Sequence, residues 1–224
     1  MAPTTRPAPC RLAIFDLDGT LTRHDTFFPF VLGLLWRHPA RWPRVPLLLL
    51  PALGYLLRRL DRGQLKGSIL HCLFRGMPRA QLETWADLYA TQVVPARIFP
   101  AAAAAFHEHL SAGDHVVVLS ASPDLYVPRI GRLLGAHEVI CTPVRWTGDR
   151  LDGRLAGPNR RDHEKARVLA ALRLRMPELP VIAYGNSLVD LIHMEQCEQA
   201  VYVNPSASLS TSLVARGLRC VQWR

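Results

Sequence analysis

Residues 12–22 read LAIFDLDGTLT. The apolar run Leu12–Phe15 is too short for a helix and reads as a buried strand. It leads directly into Asp16-Leu17-Asp18-Gly19-Thr20, so two carboxylates stand where the strand ends. Side chains alternate along a strand, but past its end the backbone turns and both acids can face one centre. Gly19 permits that turn, and the N–H groups beside it can cradle an anion. An Asx turn closing a strand-to-helix junction is the plainer reading of the same segment.

Further along the chain, VVVL at 116–119 ends at Ser120-Ala121-Ser122, VIAY at 181–184 ends at Gly185-Asn186-Ser187, and residues 200–203 close at Asn204-Pro205. Helical patterns lie between these runs, at 101–112, 124–134, 163–175 and 189–196. Strands alternating with helices predict an α/β fold, a Rossmann-like parallel sheet. Ligands of such sheets bind beyond the carboxyl ends of the strands. Residues 24–100 break the rhythm, with apolar residues at helical spacing and no convincing strand, and predict an inserted α-helical cap. The expected division is a core of residues 10–24 and 101–224, a cap of residues 25–100, and a disordered leader of residues 1–9 with Pro3, Pro7 and Pro9. Thr-Gly-Asp-Arg and Leu-Asp-Gly-Arg between 141 and 157 suggest the turns of a hairpin near the sheet edge.

The chain has 224 residues, 49% apolar and 20% charged, which excludes disordered and collagen-like classes. Its net charge of +9 favours anionic partners. Residues 22–105 hold eleven Lys and Arg against four acids, so seven of the nine net charges lie on the insertion. Five scattered Cys without a CxxC read as reduced thiols in a cytoplasmic protein. No signal-peptide pattern opens the chain. The longest uncharged apolar run, Val45–Leu57, has 13 residues and two prolines, short of the roughly 20 that a spanning helix needs.

Of the paired aspartates, one can act as a nucleophile and the other as a proton donor and acceptor. Ser120 offers a hydroxyl at a strand end, though Ser is also a common helix cap. Lys165 opens a helix, where a solvated Lys is the commoner case. Asn186 and Asp190 lie four apart at a third strand end, within reach of one Mg²⁺; an N-cap with a first-turn acid is the alternative.

Together, DLDGTLT at 16–22, VVVLSAS at 116–122, HEK at 163–165 and YGNSLVD at 184–190 resemble the four motifs of the haloacid dehalogenase superfamily. The layout is similar to the phosphoserine phosphatase subgroup, whose helical cap lies between the first two motifs. SASPDLYVPRIGRLLG and the late VNP also look like a branch of bacterial hydrolases there. The resemblance implies a phosphatase in which Asp16 is the nucleophile and Asp18 the general acid and base. Ser120 would bind phosphate beside Gly19, Thr20 and Ala121, and Lys165 would screen charge. Mg²⁺ would be held by Asp16, the Asp18 carbonyl, Asn186 and Asp190. An acid at position 18 favours phosphate transfer over dehalogenation. The family usually has Asp where this chain has Asn186, so the ion should be held less tightly.

The resemblance also implies that an acid nine residues after the nucleophile meets a substrate amino group. Asp25 has that spacing, but an N-cap before Thr26-Phe27-Phe28 is the preferred reading. Arg62 and Lys66 would face the site mouth and meet an anionic tail. Residues 27–59 carry two apolar runs around WRHPARWPR; Trp36 and Trp42 beside Arg37, Arg41 and Arg44 suit a membrane interface. The pattern resembles the bacterial phosphatidylglycerophosphatase of the same subgroup. Peripheral contact with the inner face of the membrane and plain packing of an apolar hairpin both fit. A phosphorylated small molecule or lipid is the expected partner. Nucleic acid is not expected, because the basic residues are interleaved with Leu and Pro. A non-catalytic anion-binding module is the reading of another class, favoured by Asn186 alone. His107-Glu108-His109 reads as solvated surface, since i and i+2 do not share a helix face.

Overall fold

The computed structural model describes residues 10–223; the expected leader, 1–9, lies outside them. In chain order the elements are β1 (Leu12–Phe15), α1 (Phe27–Arg37), a 3₁₀ segment (Pro39–Leu48), α2 (Leu49–Leu56), α3 (Arg62–Phe74) and α4 (Arg79–Leu88). After a π turn come α5 (Pro100–Ser111), β2 (His115–Pro123), α6 (Val127–Leu134), β3 (Glu138–Thr142), β4 (Val144–Thr147) and β5 (Arg150–Leu155). The chain closes with α7 (His163–Arg175), β6 (Val181–Gly185), α8 (Leu191–Met194), β7 (Gln199–Val203), α9 (Ala207–Ala215) and β8 (Arg219–Val221).

Six strands form one sheet in the order β3-β2-β1-β6-β7-β8, and every neighbouring pair in it is parallel. β1 is central, with Phe15 opposite Val118 on one side and Tyr184 on the other. Its four residues are buried because both faces of the sheet are covered, which is why the strands read as unbroken apolar runs. Ala13, Phe15, Val116, Val118 and Ile182 point into the larger core with the cap helices, whereas Leu12, Ile14, Val117 and Leu119 pack on α7. Phe15 stacks on Tyr184, with centroids 4.3 Å apart and planes at 2°. His109 sits beneath them, buried rather than solvated as its sequence context suggested. Its ring nitrogens are 2.6 Å from Asp114 Oδ2 and 2.9 Å from Tyr184 Oη.

No strand interrupts the helices between β1 and β2. Helix α3 starts on a capping box, in which Asp61 Oδ1 accepts from Gln64 N at 2.8 Å and Gln64 Oε1 from Asp61 N at 2.9 Å. Its C-terminal carbonyls are closed by arginines: Arg41 Nη1 donates to Leu73 O at 3.0 Å and Arg44 Nη1 to Arg75 O at 3.0 Å. Arg37 lies over Trp85 at 4.2 Å, and Trp42 donates to Leu35 O. These cations are therefore engaged inside the cap. What the segment leaves bare is apolar: Leu32, Trp36, Leu49, Leu50 and Leu56 are each more than 60% exposed.

Three local expectations are corrected. β2 runs on to Pro123, so α6 starts three residues later than the helical pattern expected at 124–134; Asp124 instead donates through its N–H to Thr142 O and accepts at Oδ1 from Val144 N. The hairpin β4–β5 turns only at Gly148, while Leu-Asp-Gly-Arg lies inside β5. Nor does that hairpin extend the main sheet, because it docks on the cap. Gly76 donates to Leu151 O, Leu151 to Met77 O and Arg79 to Asp149 O, at 2.7 to 3.0 Å. Gly153 has φ +93°, and a Cβ there would lie 2.6 Å from His71 N. Only glycine lets β5 lie this close to α3.

Asp162, the residue before α7, has φ +52° and ψ −125°, and its side chain caps nothing. A non-glycine residue pays strain there of order 1 kcal/mol or more. Asp162→Gly is expected to stabilise the fold by about 1 kcal/mol, a rise in Tm of about 3 °C in thermal unfolding. An unchanged or lower Tm would show that the surrounding loop relaxes the strain.

Candidate active site

The carboxyl ends of β1, β2 and β6 meet because these strands are neighbours in register, and the polar residues that follow each one converge. Lys165, in the first turn of α7, reaches under β1: Nζ is 2.6 Å from Asp16 Oδ1 and 2.7 Å from Asp190 Oδ1. All three side chains are buried. Burial pushes Asp16 up to about 7; Lys165 opposes this, and the neighbouring Asp190 and Asp18 carboxylates add to it. Burial also pushes on Asp190, but Lys165 outweighs it and holds that carboxyl below its ordinary range, aided by the Ser187 N–H at 3.1 Å. The two carboxylates in turn hold Lys165 well above its usual value, against the effect of burial. One cation thus serves two acids, and the site keeps an excess of negative charge.

Thr20 Oγ1 lies 3.2 Å from Asp16 Oδ2 and 3.4 Å from Asn186 Oδ1, tying the first loop to the last. Gly19 is required twice over. Its φ is +82°, and a Cβ would fall 2.1 Å from Asn186 Nδ2. Asp18 turns toward the cap root, where Oδ1 accepts from Thr26 N at 2.7 Å and Thr26 Oγ1 at 2.6 Å, and Oδ2 from Ser122 Oγ at 2.5 Å. Ser120 is fully buried and its Oγ accepts from Ser122 N at 3.1 Å, leaving its own proton free to donate.

A cavity of about 90 Å³ is lined by Asp16, Asp18, Lys165, Asn186 and Asp190. It opens toward a second of about 270 Å³ between core and cap, walled by Phe28, Tyr55, Leu65 and Ile69 with Arg62 at its rim. Asp25, Lys66, Ala121 and Arg161 line both. Asp25 stands one residue before the N-cap, Thr26; its Oδ1 accepts from Phe27 N and Phe28 N at the start of α1, and the residue borders both cavities. Of the candidates taken from sequence, Gly19, Thr20 and Ser120 border neither cavity; Gly19 and Thr20 instead pack beside Asn186, which lines the smaller one.

Thr26, Ser122 and Arg161 were missed. Ser122 stands in the second motif segment and Thr26 just after the first, but nothing in their spacing showed that they face Asp18. Arg161 lies just before the HEK segment and carries no sequence signal of its own.

Asp16, Asp190 and the Asn186 amide oxygen offer an all-oxygen donor set, the chemistry a hard divalent cation takes, and their surplus negative charge suits one. Asn186 makes the third side-chain donor an amide: among the described residues no three His, Cys, Asp or Glu side chains group as metal ligands.

The model of the haloacid dehalogenase-like hydrolase family matches residues 13–195, from β1 to the end of α8. The chain belongs to this family. It is similar to Protein CicA of Caulobacter vibrioides, 37% identical over 182 residues, 80% of this chain and 79% of that one. It is also similar to phosphoserine phosphatase SerB1 of Mycobacterium tuberculosis, 25% identical over 95% of this chain and 70% of that protein. In fold it matches a solved protein of unknown function from Bordetella pertussis, with TM-score 0.78, 22% identity and coverage of 97% and 100% of the two chains.

Proposed function

We propose that the chain is a Mg²⁺-dependent phosphomonoester hydrolase acting through an aspartyl-phosphate on a lipid-linked or otherwise amphipathic phosphate. The observation that carries this reading is the pairing of the Asp16–Lys165–Asp190 centre with a cavity whose apolar wall, Phe28 and Tyr55, continues onto the exposed face of the cap. We take residues 25–100 as that cap.

A carboxylate oxygen of Asp16 attacks phosphorus, and the bond to the leaving oxygen breaks as Asp18 gives that oxygen its proton. Asp18 then takes a proton from water as the water attacks phosphorus, and phosphate leaves with Asp16 restored. Lys165 offsets charge on Asp16 and on the phosphoryl oxygens; the Ser120 hydroxyl and the amides of Gly19, Thr20 and Ala121 orient those oxygens. Mg²⁺, when bound by Asp16, Asp190, the Asn186 amide oxygen and the Asp18 carbonyl, supplies further charge neutralisation. With one carboxylate fewer than the usual pattern, this chain is expected to need more Mg²⁺.

The substrate class rests on the cap. Ten large apolar residues on α1, on the 3₁₀ segment and between Leu49 and Leu57 are exposed in addition to Phe28, and Arg58, Arg59 and Arg62 have no side-chain partner among the described residues. Apolar area edged by free cations suits an anionic bilayer, which would keep the protein cytoplasmic and peripheral on the inner membrane face. No helix of the described residues is long and apolar enough to cross a membrane. A second reading, hydrolysis of a small soluble phosphate such as phosphoserine, is favoured by Arg62, Lys66 and Arg161 around a cavity of only about 270 Å³.

Phosphate release with Mg²⁺ from p-nitrophenyl phosphate, phosphoserine, nucleotides, phosphatidic acid and phosphatidylglycerophosphate tests both. Fastest release from the lipids, with co-sedimentation on anionic but not zwitterionic vesicles, is the expected result. Turnover of soluble phosphates alone would assign the apolar face to packing. No release from any of them, even at high Mg²⁺, would leave a non-catalytic anion-binding module.

A further inference from the structure

We infer that Lys66 and Ser122 act as a positioning relay through which the cap sets the Asp18 carboxyl for proton transfer to the leaving group. The inference rests on the acid role proposed for Asp18. Lys66 lies on α3 of the cap and Ser122 at the end of β2 in the core. Lys66 Nζ is 3.2 Å from Ser122 Oγ, and Ser122 Oγ is 2.5 Å from Asp18 Oδ2.

The direction of the relay follows from donor accounting. A lysine ammonium has three protons and no lone pair, so it donates to Ser122. The Ser122 hydroxyl keeps its proton and a second lone pair, so it can donate to Asp18 as a carboxylate and accept from it as an acid. Hydrogen bonds in such a chain polarise one another. Ser122 is fully buried, and its hydroxyl also meets the side chain of Tyr126.

Lys66 is itself held in place by the cap root. Its ammonium is 3.8 Å from Asp25 Oδ2 and 5.2 Å from the Phe27 ring centroid, and its side chain is 18% exposed. The other oxygen of Asp18 is fixed from the same root by the N–H and hydroxyl of Thr26. Thr26 in turn lies 3.0 Å from Tyr126 Oη and accepts at its carbonyl from Tyr89 Oη at 2.7 Å. Both Asp18 oxygens are thus oriented by groups that move with the cap or touch it. Lys66 and its partner Asp25 border both cavities, so a bound substrate meets the relay directly.

The leaving group provides the test. A nitrophenolate departs without a proton, whereas an alkoxide needs one, and a positioned general acid contributes about 10²- to 10⁴-fold. In a mechanism with a covalent intermediate, kcat/KM covers only the steps up to release of the leaving group, and so isolates the acid's half of the reaction. We expect Lys66→Met and Ser122→Ala each to lower the ratio of kcat/KM for n-butyl phosphate to that for p-nitrophenyl phosphate at least tenfold. Lys66→Arg, which keeps a cationic donor, should restore most of the ratio. The double variant should fall no further than Ser122→Ala alone, because both act on one path.

Equal losses on both substrates, or an unchanged ratio, would overturn the relay and reduce Lys66 to a charge at the cavity wall. Asp16→Asn and Asp18→Asn run alongside keep the two readings apart. If Asp16→Asn still releases phosphate, the hydrolase reading itself fails; if it does not, and Asp18→Asn lowers the ratio while the Lys66 and Ser122 variants leave it unmoved, only the relay fails.

Discussion

Asp16→Asn is expected to remove phosphate release, by a factor on the order of 10⁵, while leaving the fold intact or slightly firmer. The loss follows from the attack step, for which an amide lacks the nucleophilic oxygen; deletion of a covalent nucleophile costs factors of this size. The retained stability follows from the charge inventory. Asp16 and Asp190 share the single Lys165 ammonium in a buried site, and burial together with Asp190 pushes Asp16 up to about 7. The amide keeps the shape and a hydrogen-bond acceptor for Lys165 and takes away the surplus charge. Phosphate release with Mg²⁺ and thermal unfolding without it, on the same preparation, check both halves. Residual turnover within tenfold of the parent chain would show that another group, or water, attacks phosphorus.

Lys165→Met should have the opposite balance. It also abolishes turnover, but it removes the only cation between two buried carboxylates and leaves them facing one another. Breaking a buried ion pair from one side costs about 3–5 kcal/mol, which for a chain of this size is about 10 °C in Tm. Asp190 has its further donor, Ser187 N, and water reaching the cavity limits the penalty to that range. The double variant Lys165→Met with Asp16→Asn should recover part of the loss, since it buries one carboxylate fewer. A Tm within 2 °C of the parent for the single variant would mean that the site is wetter than its burial implies.

How legible these features were depends on their range along the chain. β1, β2, β6 and β7 were readable because both faces of each are covered, which writes an uninterrupted apolar run into the sequence. β3 and β8 were not: they lie at the two edges of the sheet, where Glu138 and Arg219 interrupt the pattern. Asp16, Lys165 and Asp190 could be found because each follows a strand or opens a helix, a position that sequence marks. Their mutual geometry could not, because 149 residues separate Asp16 from Lys165 and only the strand order closes that gap. Arg41 and Arg44 show the same limit in reverse. Their setting among Trp and Pro suggested a headgroup contact, yet they close the end of α3, a helix about thirty residues later. His109 was misjudged for a related reason, since its partners Asp114 and Tyr184 cannot be inferred from helical spacing.

The docking of the β4–β5 hairpin on residues 76–79 has a mechanical consequence. An insertion placed between β1 and β2 would ordinarily swing on the two chain segments that join it to the core. Here the hairpin, although it follows β3 in the chain, is bonded to the insertion and would travel with it, so the swinging body hangs on four segments. The last of the four leads through Asn159 and Arg161 into α7 within a few residues. Asn159 also abuts Gly63 at the start of α3, where a Cβ would sit 2.6 Å away. Any swing therefore tugs on the lysine-bearing helix as well as on the Asp18 loop, and opening the entrance loosens the charge centre from both ends at once.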